Sequence, residues 1–120
     1  MHELSLAEGI VRAVVATAQR EGITRVRSVR VAVGELAGVD IAALQFAWRS
    51  VSRTLVLQGA TLQIEVPPGE AWCLDCAQTV RLARLGNACP RCGGNRLLAT
   101  GGRELKVLDF EGTSEAFREE

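Results

Sequence analysis

Two pairs of cysteines constrain this chain more than any other feature. Cys73 and Cys76 enclose Leu74-Asp75, Cys89 and Cys92 enclose Pro90-Arg91, and twelve residues separate the pairs. A CxxC turn aims both of its sulfurs at one point, so two such turns brought together make a tetrahedral sulfur cage of the kind that holds zinc. Gly93 and Gly94 follow the last cysteine and let backbone amides approach the sulfurs with no Cβ in the way. The segment from about 70 to 100 has few large aliphatic residues, and metal binding supplies folding free energy that such a segment lacks.

Three rivals to structural zinc weigh less. A thioredoxin-like redox site needs one CxxC in a βαβ setting, and no such setting is visible. A rubredoxin-type iron site shares the CxxC…CPxCG pattern but is usually spaced more widely and set among aromatics, which are only 4% of this chain. The nucleic-acid-reading zinc ribbon is the serious rival. Residues 70–110 carry six basic side chains (Arg81, Arg84, Arg91, Arg96, Arg103, Lys106) against four acidic ones (Glu70, Asp75, Glu104, Asp109). Four thiolates around Zn2+ cancel that excess, and no aromatic platform accompanies it.

The rest of the chain reads as a small α+β domain wrapped around the cysteine segment. Leu6, Ile10, Val14 and Ala18 recur every fourth residue, predicting a helix over 5–20, with Ser5 and Glu8 as a capping box and Gly22 as its stop. Residues 25–33 alternate with Val29, Val31 and Val33 on one face, which predicts a half-buried strand. Asp40 is a good N-cap for a second helix reaching about Thr54, with Leu44, Trp48, Val51 and Leu55 on its apolar face. Leu62, Ile64 and Val66 mark a second strand, ended by Pro67-Pro68-Gly69. Residues 104–110 form a third, expected to rejoin the first sheet after Gly101-Gly102.

The expected organisation is residues 1–68 with 101–112 as one α/β domain, a zinc-ribbon domain at 69–100, and a flexible acidic tail at 113–120. Fourteen basic residues balance fourteen acidic ones, which argues against a nucleic-acid or anionic-membrane binder. No signal-peptide pattern and no apolar run of spanning length is visible, so a soluble cytoplasmic protein is expected. An enzyme is not: one histidine supports no Ser/His/Asp or Cys/His set, and no phosphate-binding glycine loop occurs.

That single histidine is His2. With Met1 it offers the terminal amine, a peptide nitrogen and an imidazole nitrogen, which can chelate one ion through adjacent small rings. Glu3 can close a fourth position. Planar nitrogen donors suit Ni(II) or Cu(II) better than Zn(II). Alone, a histidine at position 2 is more often an ordinary solvated terminus.

Taken together, MHELSLAEGI, VRVAVGELAGV, LQFAW, CLDC…CPRCGG and GRELKVLDFE resemble the HypA/HybF family, nickel chaperones of [NiFe]-hydrogenase maturation that also serve urease in some organisms. The stretches span nearly the whole chain in family order. The resemblance implies a nickel-binding α/β domain, with a three-stranded sheet and two helices, interrupted by a zinc-ribbon domain. It implies Ni2+ as transient cargo at Met1, His2 and Glu3, and structural Zn2+ on Cys73, Cys76, Cys89 and Cys92. Its implied partners are a HypB-type GTPase and the hydrogenase large subunit, with a monomer or homodimer as the working state and no nucleic acid or membrane. Two departures stand out. Family members often carry Ser-Gly-Val after GEL, where this chain has Ala37-Gly38-Val39, and no histidine flanks the zinc cysteines here. The reading without the resemblance is a zinc-ribbon interaction module for protein or nucleic acid with an inert N-terminus.

Overall fold

The structure is a computed structural model, and it describes residues 2–114. Met1 and most of the expected acidic tail, residues 115–120, lie outside the described residues. The elements are α1 (Glu3–Glu21), β1 (Arg25–Val33), α2 (Ile41–Val51), a 3-10 turn (Leu55–Leu57), β2 (Thr61–Glu65), β3 (Glu70–Cys73), β4 (Gln78–Arg81), β5 (Leu97–Gly101) and β6 (Leu105–Thr113). They form an α+β fold with two three-stranded sheets, ordered β2-β1-β6 and β4-β3-β5.

Contacts divide the chain into two compact units. The first takes Met1–Val31, Val39–Ile64 and Val107–Glu120; the second takes Ala32–Gly38 and Glu65–Lys106.

In the first unit, α1 buries Ala7, Ile10, Val14 and Ala18, the four-residue repeat that the sequence displays. It ends where Gly22 adopts φ 70° and its amide turns back on Ala18 and Gln19 carbonyls. Its start is a correction. The S-x-x-E box at Ser5 does not cap the helix; His2 occupies the N-cap position, and the His2 carbonyl already accepts the Leu6 amide at 3.0 Å. Glu3, anchored by a long-range hydrogen bond to Asp40, begins the helix two residues earlier than its local sequence signals.

Asp40 caps α2 as expected, accepting the Ala43 amide at 3.0 Å. The helix stops at Val51, short of Thr54, where Ser52 leaves helical geometry (φ −88°, ψ 52°) with its hydroxyl and amide both donating to the Trp48 carbonyl. Leu44 and Trp48 are buried, and the Trp48 indole donates to the Ala60 carbonyl at 2.9 Å. Leu55, now in the 3-10 turn, is exposed rather than part of the buried face, and Val66 likewise falls beyond β2 and faces water. Strand β6 pairs with β1, as the backbone bonds from Gly34 to Glu104 and from Thr24 to Thr113 record at its two ends. It runs on to Thr113, past the expected end at Phe110.

In the second unit, β3 pairs antiparallel with β4 and β5, with a bulge between Glu70 and Ala71 on the β5 side. One face carries Ala71 and Val80, which pack with Leu36, Leu82, Cys73 and Cys89 into a small core. The other face is open, and Trp72 stands on it directly opposite Leu98. Among the described residues no helix is long and apolar enough to cross a membrane.

Candidate metal centre and the amino terminus

Cys73 is the last residue of β3, and the tight turn after it carries Cys76. The Ala77 amide donates to the Cys73 carbonyl at 2.8 Å, closing that turn with Ala77 at φ 55°. The second pair repeats the device: the Gly93 amide donates to the Cys89 carbonyl at 2.8 Å, and the Cys89 amide returns to the Gly94 carbonyl at 2.8 Å. Each turn also points amides at its sulfurs. Cys76 N–H to Cys73 Sγ, Arg91 N–H to Cys89 Sγ and Gly94 N–H to Cys92 Sγ are each 3.4 Å. Such donors favour the thiolate over the thiol.

The four sulfurs lie within 4.8 Å of one another. Cys73 and Cys92 sulfurs are 3.7 Å apart, and those of Cys76 and Cys89 are 3.8 Å apart. These separations are far too long for disulfides. A tetrahedral zinc site with Zn–S bonds of about 2.3 Å has edges of about 3.8 Å. The donor set and its spacing therefore fit Zn2+.

Electrostatics within the cluster point the same way. The Cys76 thiol, hydrogen-bonded to Cys92 and drawn away from water, is pushed up to about 12. Cys89 is brought to about 7: burial works against its thiolate, but the Cys92 and Arg91 amides outweigh burial. Four neighbouring anions are a poor arrangement for the polypeptide alone, and a bound divalent cation reverses that balance.

Around the cage, Asp75 and Arg96 supply a brace that spacing alone does not announce. Arg96 Nε donates to Asp75 Oδ1 at 3.0 Å, and the Arg96 carbonyl accepts the Leu74 amide at 3.0 Å. Gly94 lies under this brace. A Cβ there would stand 2.6 Å from Asp75 Oδ2 and 3.3 Å from Cys92 Sγ, so a larger residue would press on both the brace and the sulfur.

Glu35, in the Gly34-Glu35-Leu36 turn, is not the solvated carboxylate that a turn position suggests. Its Oε1 accepts the Gly69 amide at 2.8 Å, and Arg81 Nη2 reaches both of its oxygens at 2.9 Å. The Gly69 amide first and the Arg81 guanidinium second hold its carboxyl below the ordinary value. Arg30, one of the three arginines around β1, likewise pairs with Asp109.

At the other end of the chain, His2 is exposed and extended (φ −78°, ψ 95°). As the N-cap residue its peptide nitrogen stands outside the helical ladder. Glu3 follows with its Oε2 accepting the Asp40 amide at 3.1 Å, which holds its carboxyl below the usual range. The structure thus places His2 and Glu3 side by side and adds Asp40 as their neighbour, a residue legible in the sequence only as a cap. Met1, the remaining expected donor, lies outside the described residues.

Residues 1–112 match the family model described as "Hydrogenase/urease nickel incorporation, metallochaperone, hypA". The chain belongs to the HypA family. A hydrogenase maturation factor HypA of Polaromonas naphthalenivorans (strain CJ2) is 50% identical over 110 residues, covering 92% of this chain and 96% of that protein. The HypA of Cupriavidus necator is 47% identical over 110 residues, with 92% of each chain covered. The solution structure of the Ni metallochaperone HypA from Helicobacter pylori superposes with a TM-score of 0.67 at 25% identity, covering 96% of this chain and all of the other.

Proposed function

We propose that this protein is a nickel metallochaperone of hydrogenase maturation, with Ni(II) as its cargo and zinc as its structural metal. The observation that carries the reading is the HypA-family match over residues 1–112, and two chemically unlike donor groups support it. One is a sulfur cage with no open position. The other is an exposed terminus offering nitrogen and oxygen donors.

In this reading Met1 contributes its terminal amine, His2 its peptide and imidazole nitrogens, and Glu3 its carboxylate. Because one Glu3 oxygen already accepts the Asp40 amide, the other is the one available to nickel. An exposed site of this kind suits a carrier. Acceptor ligands can replace the donors one at a time, with no core to open. Cys73, Cys76, Cys89 and Cys92 hold zinc and shape the second unit, which we read as a zinc ribbon interrupting a nickel-binding domain. No reaction is catalysed. The natural counterparts are a HypB-type GTPase and the hydrogenase large subunit in the cytoplasm, with urease as a further acceptor in organisms that make it.

A Ni(II) titration of tag-free, zinc-loaded protein beside His2→Ala tests the reading, through ligand-field absorbance and binding heat. One equivalent bound by the parent and lost in the variant supports it. Equal binding by both, or by neither, removes the nickel site from the terminus.

A further inference from the structure

Phe46 is 66% exposed on α2, although this chain has only three phenylalanines and needs apolar side chains for two small cores. The buried side of α2 is taken by Leu44, Ala47 and Trp48, so Phe46 is not a core residue displaced by crowding. Its neighbours on the outward side are Ala42, Arg49 and Ser50, all exposed. The Arg49 guanidinium carbon lies 5.9 Å from the Phe46 ring centroid, close enough for a cation–π contact. Arg49 is the one charged side chain within α2. Among the described residues no carboxylate pairs with it, whereas Arg30, Arg81 and Arg96 each have one. The outer face of α2 is therefore apolar and cationic, with an aromatic ring that orders the guanidinium edge beside it. Aromatic and arginine side chains are the groups that dominate binding energy in protein interfaces. A guanidinium edge takes a carboxylate with two parallel hydrogen bonds.

The same helix begins at the nickel terminus. Its N-cap, Asp40, donates its amide to Glu3. With a rise of about 1.5 Å per residue, Phe46 stands roughly 9 Å along the axis from that cap. A protein segment lying along this face toward the start of α2 approaches Glu3, which is bonded to that cap.

We infer that the outer face of α2, centred on Phe46 and Arg49, docks an acidic, apolar segment of the protein that exchanges nickel with residues 1–3. A bulky aliphatic side chain covers the Phe46 ring, and an adjacent carboxylate takes the Arg49 guanidinium. This rests on the nickel-delivery reading and adds to it the place where the exchange partner is held.

The test uses the full chain in cells that mature a [NiFe]-hydrogenase, with Phe46→Ala, Arg49→Glu, Arg49→Lys and, as a control at another exposed aromatic, Trp72→Ala. Hydrogenase activity falls about tenfold or more in Phe46→Ala and Arg49→Glu, as loss of an interface anchor predicts. It is retained in Trp72→Ala and falls to an intermediate level in Arg49→Lys, which keeps the charge but loses the two-bond fork. The purified variants keep parental zinc content, helical signal and nickel binding, which separates docking from folding and from cargo. Benzoylphenylalanine at position 46 cross-links to a partner segment that carries both carboxylates and aliphatic side chains. Parental hydrogenase activity in Phe46→Ala and Arg49→Glu overturns the inference, as does a cross-link that lands on a segment without carboxylates. Failure of the nickel-delivery reading looks different: His2→Ala would mature the hydrogenase as well as the parent, while the position-46 cross-link would persist.

Discussion

The Glu3 carboxylate and the Asp40 amide are joined by a 3.1 Å hydrogen bond across 37 positions of sequence. That bond fixes where α1 begins and sets Glu3 beside the cap of α2. Replacing Glu3 with alanine leaves an exposed amide that water can satisfy, and Asp40 still caps through Ala43. Thermal unfolding of Glu3→Ala therefore stays close to the parent. Nickel affinity, measured by calorimetry, falls roughly tenfold or more, as removal of a positioned donor predicts.

Glu35 gives the second unit a definite response to acid. Its carboxyl sits below the ordinary value of 4.5 in the folded chain, so the stability it contributes is complete above about that pH and is lost as pH falls through the lowered folded value. The gap in stability between parent and Glu35→Gln, followed by denaturant titration, narrows as the pH drops below 4.5. A gap that stayed constant down to acid would mean the Gly69 and Arg81 contacts carry nothing through the carboxylate's charge.

Gly94→Ala is expected to weaken the zinc site without touching a ligand. The added methyl presses on Asp75 and Cys92, so either the Asp75–Arg96 brace opens or the second knuckle shifts. Zinc transfer to a chromophoric chelator should run faster in the variant, whereas Ala77→Gly, which relieves a positive φ, should leave the rate near the parent's or slow it.

Zinc loading should release protons. With its thiol pushed up to about 12 by the Cys92 contact and by burial, Cys76 is protonated at neutral pH before the metal arrives and must give up its proton to ligate it. A weakly buffered zinc titration at pH 7 should therefore show proton release on metal binding, to which Cys76 contributes a full proton. Chelation should loosen the second unit, seen as faster amide exchange at Ala71, Val80 and Leu82, and leave exchange at Val14 and Leu44 slow.

Leu44→Ala strikes the first unit. Leu44 is fully buried, and its truncation should cost about 3 kcal/mol in that unit's unfolding. Zinc content should be unchanged, because the knuckles draw on Leu36, Val80 and Leu82 for their packing.

Much of this was legible in the sequence where one local signal dominates. The alternation of β1, the Asp40 cap, the glycine stop of α1 and the paired knuckles each follow from a short stretch and appear where they were read. The misreadings fall where a distant residue decides. Ser5-x-x-Glu8 is a sound capping signal, but Glu3 reaches Asp40 and starts the helix before it. Leu55 fits the apolar stripe of α2, yet the backbone leaves helical geometry at Ser52, three residues before it. Strands β3, β4 and β5 carry no strong alternation, because half of their buried face is cysteine and alanine rather than large aliphatics. The role of Glu35 is not legible locally, because its partners, Gly69 and Arg81, lie 34 and 46 positions away.

The second unit's small core, with two cysteines among its buried residues, ties one metal's supply to another's use. A knuckle pair of this kind folds fully only on a chain that has captured zinc. On the proposed reading, a cell starved of zinc would accumulate nickel carriers whose second unit is slack, and hydrogenase would fail in the presence of ample nickel. The nutritional dependence of a nickel enzyme would then extend to an element that never enters its active site.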